Sequence, residues 1–305
     1  MTRAAFLRLA AGGATALLLG ATPTRAVVPL AMQQRPVPGS GELLPVIGLG
    51  TWQGFDFVPG SPEYARLPAV LEALFAAGGA VIDSSPMYGR AEENVGDLLA
   101  ATGSHRRAFI ASKVWISGRE EGRRQLTESR RRLRAGPRLD LMQVHNLVDW
   151  RTQLATLRDW QASGRLRYIG VSHYHAGAYA ELAAVLRAER LDFLQINYSL
   201  DEREAERSIL PLAAERGLAV LINRPFGGGA LLRRLRNKPL PAWAAEIEAR
   251  SWAQLLLKFV LAQPAVTCAI PGTSRPEHMA DNAGAGRGPL PDAAFWRRHP
   301  ELFAL

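Results

Sequence analysis

The sequence predicts an α/β fold, specifically a closed (β/α)8 barrel of the TIM-barrel type. From residue 46 onward, eight short β-rich runs alternate with helical patterns, which is typical of a parallel sheet covered by helices. The chain has 305 residues, 48% of them hydrophobic, and a barrel of about 250 residues folds as one domain. An open doubly wound sheet is the alternative, but its G-x-G-x-x-G turn opens a helix. Here a loop follows Gly48–Gly54.

Residues 27–305 are predicted to form this single domain, and its elements follow in order. Residues 35–45 hold a Gly-Ser-Gly turn between two extended pieces, which predicts a β-hairpin closing the barrel bottom. An apolar stripe that begins at Leu67 predicts the first helix, and Gly78 ends it. The eight strands are predicted at Val46–Thr51, Ala80–Ser84, Ala108–Val114, Leu139–His145, Tyr168–Ser172, Asp192–Tyr198, Ala219–Arg224 and Val266–Pro271.

The first 26 residues have the layout of an export signal peptide. Arg3 and Arg8 precede an apolar stretch of small residues, and an A-x-A-like cleavage site ends at Ala26. A frayed N-terminal helix or a wrongly assigned start codon is the alternative. We expect export to the periplasm, through the Sec route or through a twin-arginine route in which Ala4 replaces the second arginine. Without a functional signal the protein would be cytoplasmic.

Charge and cysteine content narrow the possible partners. The formal net charge is +9, but the arginine-rich stretches 123–134 and 231–237 lie on predicted helices. We interpret them as solvated helix faces, because no nucleic-acid-binding motif accompanies them. Cys268 is the only cysteine, which excludes a disulfide within the chain and a cysteine-rich metal site; its apolar neighbours predict a core position. No segment after the signal is expected to span a membrane.

Four residues at predicted strand ends suit proton transfer to a substrate oxygen. Asp83, Tyr88, Lys113 and His145 lie at or just beyond the second, third and fourth strands, and the carboxyl ends of barrel strands meet at one mouth. We expect Tyr88 to be the acid, with its pKa lowered from roughly 10 by the Lys113 ammonium. Asp83 would hold Lys113, and His145 would orient the oxygen. Singly, each residue also fits a structural role, such as a helix cap, packing or a solvated charge.

This set, in this order, resembles the catalytic tetrad of the aldo-keto reductase family. The resemblance covers about residues 45–285 and implies an NAD(P)H-dependent oxidoreductase that reduces aldehyde and ketone carbonyls by hydride transfer. It also implies that Ser172 and Gln195 bind the nicotinamide amide, together with His173, where the family has asparagine. Trp52 and Trp115 follow the first and third strands and are predicted to line an apolar substrate pocket; a core position or a surface plug is the alternative for both.

The remaining predicted cofactor residues come from two loops and the first strand end. After the seventh strand, Asn223 replaces the family's stacking aromatic residue, and the glycines that follow it would let backbone amides approach a diphosphate; a plain flexible loop is the alternative. After the eighth strand, Gly272 and His278 stand where the family has lysine and arginine. NADP is the predicted cofactor, with NAD as the alternative. The predicted contacts are Thr51, Trp52, Arg224, Pro225, Phe226, Gly227, Gly272, Thr273, Ser274, Arg275, His278 and Asn282.

Three other functions are compatible with parts of the sequence. His173 and His175, with Asp83 and His145, would suit a metal-dependent barrel hydrolase if they met at one point, although no metal site is predicted. Lys113 would suit a Schiff-base aldolase. A cofactor-binding sensor or subunit would keep the same pocket and turn over slowly.

Overall fold

The computed structural model describes residues 31–304 and has the predicted (β/α)8 architecture. The predicted leader, residues 1–26, lies outside the described residues and stays a prediction. Eight parallel strands pair in sequence order, each with its neighbours in the chain, and isolated bridges from Ile47 to Ala269 and from Gly50 to Gly272 join the last strand to the first. The strands are β3 (Leu49–Gly50), β4 (Val81–Asp83), β5 (Phe109–Val114), β6 (Leu139–His145), β7 (Leu166–Ser172), β8 (Phe193–Asn197), β9 (Ala219–Asn223) and β10 (Val266–Ala269).

Helices follow the strands and pack on the outside of the barrel. The larger of two buried apolar clusters lies between the helices and the outer face of the sheet; it includes Leu71, Leu99 and Leu157. The helices are α1 (Leu67–Ala76), α2 (Ala91–Ala101), α3 (Arg119–Arg132), α4 (Trp150–Ala162), α5 (Tyr179–Ala188), α6 (Ile209–Glu215), α7 (Ala230–Leu235), α8 (Trp252–Leu261), α9 (Pro276–Gly284) and α10 (Ala293–Arg297). The predicted start of α1 at Leu67 agrees with the structure.

The barrel interior is a packed core, and the predicted hairpin closes its amino end. Strands β1 (Gln34–Pro36) and β2 (Leu43–Pro45) pair antiparallel. Val37 and Leu44 from the hairpin join a second apolar cluster whose other members include Phe109 and Phe193, from the barrel strands. Cys268 belongs to the same cluster and is fully buried, as the sequence predicts.

The hairpin is held to the strand starts by charged side chains. Arg35 donates hydrogen bonds to the carbonyl oxygens of Leu261 (2.5 Å), Gln263 (3.0 Å) and Val266. These carbonyls end α8 and begin β10. Because one guanidinium donates to three carbonyls at the start of the last strand and the end of the helix before it, Arg35 joins the hairpin to the barrel.

The first barrel strand is shorter than predicted. The sequence predicts Val46–Thr51, whereas regular pairing covers only Leu49–Gly50. The rest of the segment pairs only through the isolated bridges, and its glycines lie close to their neighbours: a Cβ on Gly48 would lie 2.7 Å from the carbonyl oxygen of Val81 and a Cβ on Gly50 would lie 2.8 Å from that of Ile270. The glycines therefore let the two edges of the sheet meet and close the barrel.

The surface of α3 agrees with its prediction as a solvated face. Arg131 and Arg132 both bond to the Glu128 carboxylate on the same exposed surface, each with a nearest distance of 2.7 Å. Such paired charges at i,i+3 and i,i+4 are ordinary on a solvated helix. Within residues 31–304, no helix is both long and apolar enough to cross a membrane.

We predict that Arg35→Ala lowers the free energy of unfolding by about 1.5–3 kcal/mol, since three carbonyls lose a charged donor. Urea denaturation would measure the loss. Arg106→Ala is the control, because Arg106 is exposed and makes no side-chain hydrogen bond or salt bridge within residues 31–304; its effect should stay within about 0.5 kcal/mol. Equal effects of the two substitutions would contradict the anchoring role of Arg35.

Candidate active site

A cavity of about 1160 Å³ opens at the carboxyl ends of the barrel strands. Asp83, Tyr88 and His145 line it, whereas Lys113 lies beneath the surface, fully buried. The strand register explains why they converge: Gly50 pairs with Asp83, and Lys113 pairs with Gln143, two residues before His145. Parallel neighbours in register bring the ends of β4, β5 and β6 to one place.

Asp83 and Lys113 form a buried ion pair. The Lys113 ammonium lies 2.6 Å from Asp83 Oδ2 and also donates to the Ser84 carbonyl at 2.9 Å. Both side chains are almost completely excluded from solvent. Burial alone works to lower the pKa of Lys113, but the Asp83 carboxylate and the Tyr88 phenol outweigh it, and the pKa is raised. Lys113 therefore stays charged.

The second oxygen of Asp83 is held by side-chain amides. Gln195 donates to Asp83 Oδ1 at 2.8 Å and Gln143 does so at 3.3 Å. Asn223 in turn donates to Gln195 Oε1 at 3.3 Å and to the His173 carbonyl at 2.9 Å. The result is a chain of amides across the top of the barrel that fixes the carboxylate facing Lys113.

Tyr88 lies directly over the ion pair. The Lys113 ammonium is 4.9 Å from the centroid of the Tyr88 ring. Burial raises the pKa of Tyr88, while Lys113 counteracts part of that rise and Asp83 adds to it. The expected net lowering of the Tyr88 pKa is therefore wrong for the protein alone, because desolvation outweighs the ammonium. Lys113 still favours the phenolate, as predicted.

His145 is neutral and fixed in orientation. Burial, together with the positive charges of Lys113 and of protonated His173, lowers the pKa of His145 to about 3. Its Nδ1 lies 2.8 Å from the Ser172 hydroxyl, which follows from the direct pairing of these two residues between β6 and β7. With Nδ1 occupied, Nε2 is the ring nitrogen left for a ligand in the cavity.

Most of the predicted cofactor residues line the cavity, and four do not. The four are Ser172, His173, Gly227 and Ser274. Ser172 bonds His145 and Gln195 bonds Asp83, so binding a nicotinamide amide would require both to share these bonds. The predicted residues on the cavity wall are Thr51, Trp52, Gln195, Arg224, Pro225, Phe226, Gly272, Thr273, Arg275, His278 and Asn282.

The wall beside the tetrad carries exposed aromatic side chains. Trp52 is 54% exposed and Trp115 is 42% exposed, so the alternative of buried core positions is wrong for both. Tyr174, which was not predicted as a site residue, is 45% exposed and lines the same cavity. Large apolar surfaces exposed around a cavity are typical of a ligand pocket.

A second group of side chains carries positive charge into the cavity. Arg224 pairs with Glu202 at 3.1 Å and Arg275 pairs with Glu277 at 2.5 Å. Arg233 and Arg236 also line the cavity; both are exposed, so the face is solvated as predicted, and its position beside the cavity is what the prediction did not include. The sequence does hold a signal for them, since a three-residue spacing puts both on one face of a helix.

Two further polar residues at the site are missing from the prediction. Gln143 is fully buried inside an apolar strand, two residues before His145 and therefore on the same side of β6. Asn146 follows His145, has a left-handed φ of 53° and lines the cavity. A glutamine in the otherwise apolar run LDLMQVH is the sequence signal that would have indicated Gln143.

Comparison with known proteins places the chain in a family. A sequence profile described as the aldo/keto reductase family matches residues 46–297. The chain belongs to this family. The methylglyoxal reductase YeaE of Escherichia coli is 31% identical over 261 residues, which cover 83% of this chain and 89% of that protein.

Solved aldo/keto reductases share the fold over most of the chain. An aldo-keto reductase from Klebsiella pneumoniae in complex with NADPH superimposes with a TM-score of 0.74 at 26% identity, covering 90% of this chain and 95% of that one. A Klebsiella pneumoniae structure with NADP and acetate also gives a TM-score of 0.74, at 27% identity, over 88% and 94% of the two chains. The barrel and its order of strands are therefore those of aldo/keto reductases.

We predict that Lys113→Met lowers the free energy of unfolding by about 3–5 kcal/mol, because it leaves the Asp83 carboxylate buried without a counter-charge. The double variant Asp83→Asn/Lys113→Met should recover part of the loss, since the neutral amide needs no counter-charge. Urea denaturation of the two variants would test this. A double variant less stable than the single one would show that the pair is not the cause.

We predict that the stability of the protein falls as the pH drops below about 6.5, where the unfolded imidazole takes up a proton. Folded His145 resists protonation until about pH 3, so its contribution is complete above pH 6.5 and is lost progressively on acidification. His145→Gln should make the loss shallower but not abolish it, because the pKa of His173 is also lowered, to about 4. Urea denaturation between pH 4 and pH 8 measures the slopes; identical slopes would contradict a neutral buried His145.

Proposed function

We propose that this aldo/keto reductase is an NADP(H)-preferring oxidoreductase that reduces the carbonyl group of small aldehydes and ketones. The observation that carries the proposal is the Asp83–Lys113 ion pair beneath Tyr88, beside a neutral His145 at the wall of a large cavity. This arrangement supplies a phenol for proton donation, a cation for the phenolate that remains, and a neutral hydrogen-bond donor for the substrate oxygen.

Each side chain has a distinct part in the proposed reaction. A bound nicotinamide dinucleotide supplies the hydride to the carbonyl carbon. Tyr88 gives its hydroxyl proton to the carbonyl oxygen, and the Lys113 ammonium stabilises the resulting phenolate. His145 Nε2 donates a hydrogen bond that orients the same oxygen. Asp83 holds Lys113 in position and does not touch the substrate.

The residues present suit a nicotinamide dinucleotide. Asn146 Oδ1 and Asn223 Oδ1 are buried acceptors without a partner in the described part of the chain, and Arg224 Nε is a buried donor without one. All three residues line the cavity. A nicotinamide amide offers N–H donors and a diphosphate offers anionic acceptors, so the dinucleotide carries the groups these atoms need.

Preference for NADP over NAD is part of the proposal. The two Klebsiella pneumoniae structures are complexes with NADPH and with NADP, which supports the same cofactor here. Arginine side chains at the cavity wall suit the additional 2′-phosphate. Arg275, one of the predicted cofactor contacts, is the arginine of the loop after the eighth strand and pairs with Glu277.

The geometry does not favour a metal-dependent hydrolase. The rings of His173 and His175 pack edge to face with centroids 4.5 Å apart. Across residues 31–304, no group of three or more histidine, cysteine, aspartate or glutamate side chains is arranged to hold a metal ion. The ligand geometry that such a hydrolase requires is therefore not formed by these residues.

We predict that Tyr88→Phe lowers kcat/KM for carbonyl reduction by about 10²–10⁴, because general-acid catalysis is lost. Affinity for NADPH should stay within about twofold, since the ring is retained and only the hydroxyl is removed. NADPH oxidation with a panel of aldehydes, and NADPH binding by fluorescence, measure the two effects. Tyr64→Phe is the control, because the Tyr64 hydroxyl makes no hydrogen bond within residues 31–304 and the residue does not line the cavity.

A single-turnover experiment separates an enzyme from a cofactor-binding sensor. Aldehyde added to the NADPH complex should oxidise the bound cofactor within one turnover and then continue with excess NADPH. Tight NADPH binding without oxidation by any aldehyde or ketone tested would favour the sensor. Full activity in Tyr88→Phe would remove Tyr88 from the acid role.

A further inference from the structure

A buried carboxyl group lies behind the active site and has no part in the proposed reaction. Glu92, in the first turn of α2, is 1% exposed. Its Oε1 accepts a hydrogen bond from the Ser112 hydroxyl at 2.5 Å, and Ser112 is fully buried as well. Glutamate is almost never buried to this extent, because its carboxyl group loses its hydration there.

Glu92 and Lys113 lie on opposite sides of the same strand. Ala111 belongs to the apolar cluster inside the barrel, whereas Ile110 belongs to the cluster beneath the helices. Because successive residues of a strand alternate between its two faces, Ser112 faces the helices and Lys113 faces the interior. The hydrogen bond between Ser112 and Glu92 therefore holds β5 at the residue directly before the ammonium.

Helix α2 and the loop that carries Tyr88 form one continuous unit. The Tyr88 carbonyl accepts a hydrogen bond from the Ala91 amide at 3.0 Å, and the Ser85 carbonyl accepts one from the Tyr88 amide at 3.1 Å. Glu92 follows Ala91 directly. A displacement of the first turn of α2 would therefore move the backbone of Tyr88.

The link between α2 and β5 has no substitute nearby. Within residues 31–304, the bond from Ser112 to Glu92 is the only side-chain hydrogen bond between this helix and this strand. Helix α3 closes the space behind it, because a Cβ on Gly96 would lie 2.0 Å from the Arg132 carbonyl oxygen. The carboxyl group is thus enclosed between two helices and the strand.

Burial shifts the carboxyl group towards its neutral form. Desolvation raises the pKa of Glu92, while the hydroxyls of Ser112 and Ser129 and the charges of Arg132 and Lys113 offset only part of that rise. A neutral amide at this position would still offer Ser112 an oxygen acceptor. The hydrogen bond, rather than the charge, is therefore what the position requires.

We propose that Glu92 is a positioning residue, which acts through Ser112 to hold the Tyr88 phenol in register with the Lys113 ammonium. Strand β5 carries the cation and α2 follows the loop that carries the acid, so one bond fixes the two relative to each other. Glu92 itself does not line the cavity and does not touch the substrate. This inference rests on the proposed function, because it takes Tyr88 to be the acid.

The test compares steady-state carbonyl reduction by NADPH in variants of the full chain. Glu92→Ala removes the link, and Glu92→Gln keeps an acceptor for Ser112. Glu93→Ala is the control, because Glu93 is the neighbouring glutamate of the same helical turn and is exposed. Ser112→Ala removes the same hydrogen bond from the strand side and serves where Glu92→Ala does not fold. Urea denaturation verifies that each variant is folded under the assay conditions.

We expect Glu92→Ala and Ser112→Ala each to lower kcat by about 10–100-fold, because a displacement of about 1 Å at the reacting groups costs on the order of 10²-fold in rate. KM and the dissociation constant for NADPH should stay within about twofold, since Glu92 touches neither ligand. In Glu92→Gln and in Glu93→Ala, kcat should stay within about threefold of the unmodified protein.

A double variant shows whether Glu92 acts through Tyr88. If it does, Glu92→Ala combined with Tyr88→Phe lowers the remaining rate by less than about twofold relative to Tyr88→Phe alone, because the proton transfer that it serves is already lost. A loss of folded protein would instead lower the rate by the same factor with and without Tyr88→Phe.

Two results would overturn the inference. One is a kcat within about threefold of the unmodified protein in a folded Glu92→Ala or Ser112→Ala variant. The other is an equal loss with and without Tyr88→Phe, which would show that Glu92 only stabilises the fold. The proposed function fails on different observations: an unmodified protein that reduces no carbonyl compound, or full activity in Tyr88→Phe.

Discussion

The Lys113 ammonium is buried within the barrel, and the arrangement of the mouth follows from the need to compensate that charge. Asp83 supplies the counter-charge, and because a buried carboxylate also requires hydrogen-bond donors, two amides from β6 and β8 bind its other oxygen. Tyr88 lies over the pair, so its phenol is subject both to burial and to the ammonium. The chemistry of the site is thus a consequence of how one charge is accommodated in a low-dielectric interior.

The two ends of the barrel have different physical tasks. At the amino end, apolar residues of the hairpin fill the interior and Arg35 donates hydrogen bonds to backbone carbonyls of the barrel. At the carboxyl end, polar side chains project into a cavity and some of the backbone is strained: Gln53, Asn146 and Arg224 all have positive φ. Left-handed conformations of such residues cost about 1–3 kcal/mol each and persist only where the surroundings enforce them. The packing at the amino end therefore offsets the backbone strain at the carboxyl end.

The sequence predicts the fold well, and it predicts that Asp83, Tyr88, Lys113 and His145 lie close together, because both follow from local patterns. Apolar runs separated by turn residues predict the eight strands, their order and the hairpin. The carboxyl ends of the strands then bring Asp83, Lys113 and His145 together. The sequence does not predict the amide chain, because the hydrogen bonds of Gln143 and Gln195 depend on cross-barrel distances. The sequence also does not predict the direction in which the pKa of Tyr88 shifts, because the effect of burial cannot be compared with that of a neighbouring charge without coordinates. Arg233 and Arg236 lie on a solvated face as predicted, but the sequence does not show that this face borders the cavity.

The hairpin that fills the amino end has a kinetic consequence. With Val37 and Leu44 packed inside the barrel, a molecule that reaches the tetrad must use the opposite opening, and a second molecule must use the same opening. Two ligands that share one cavity opening cannot exchange independently when one of them covers the other. For the carbonyl reduction proposed above, the ligand that lies deeper in the cavity would have to enter before the other and leave after it.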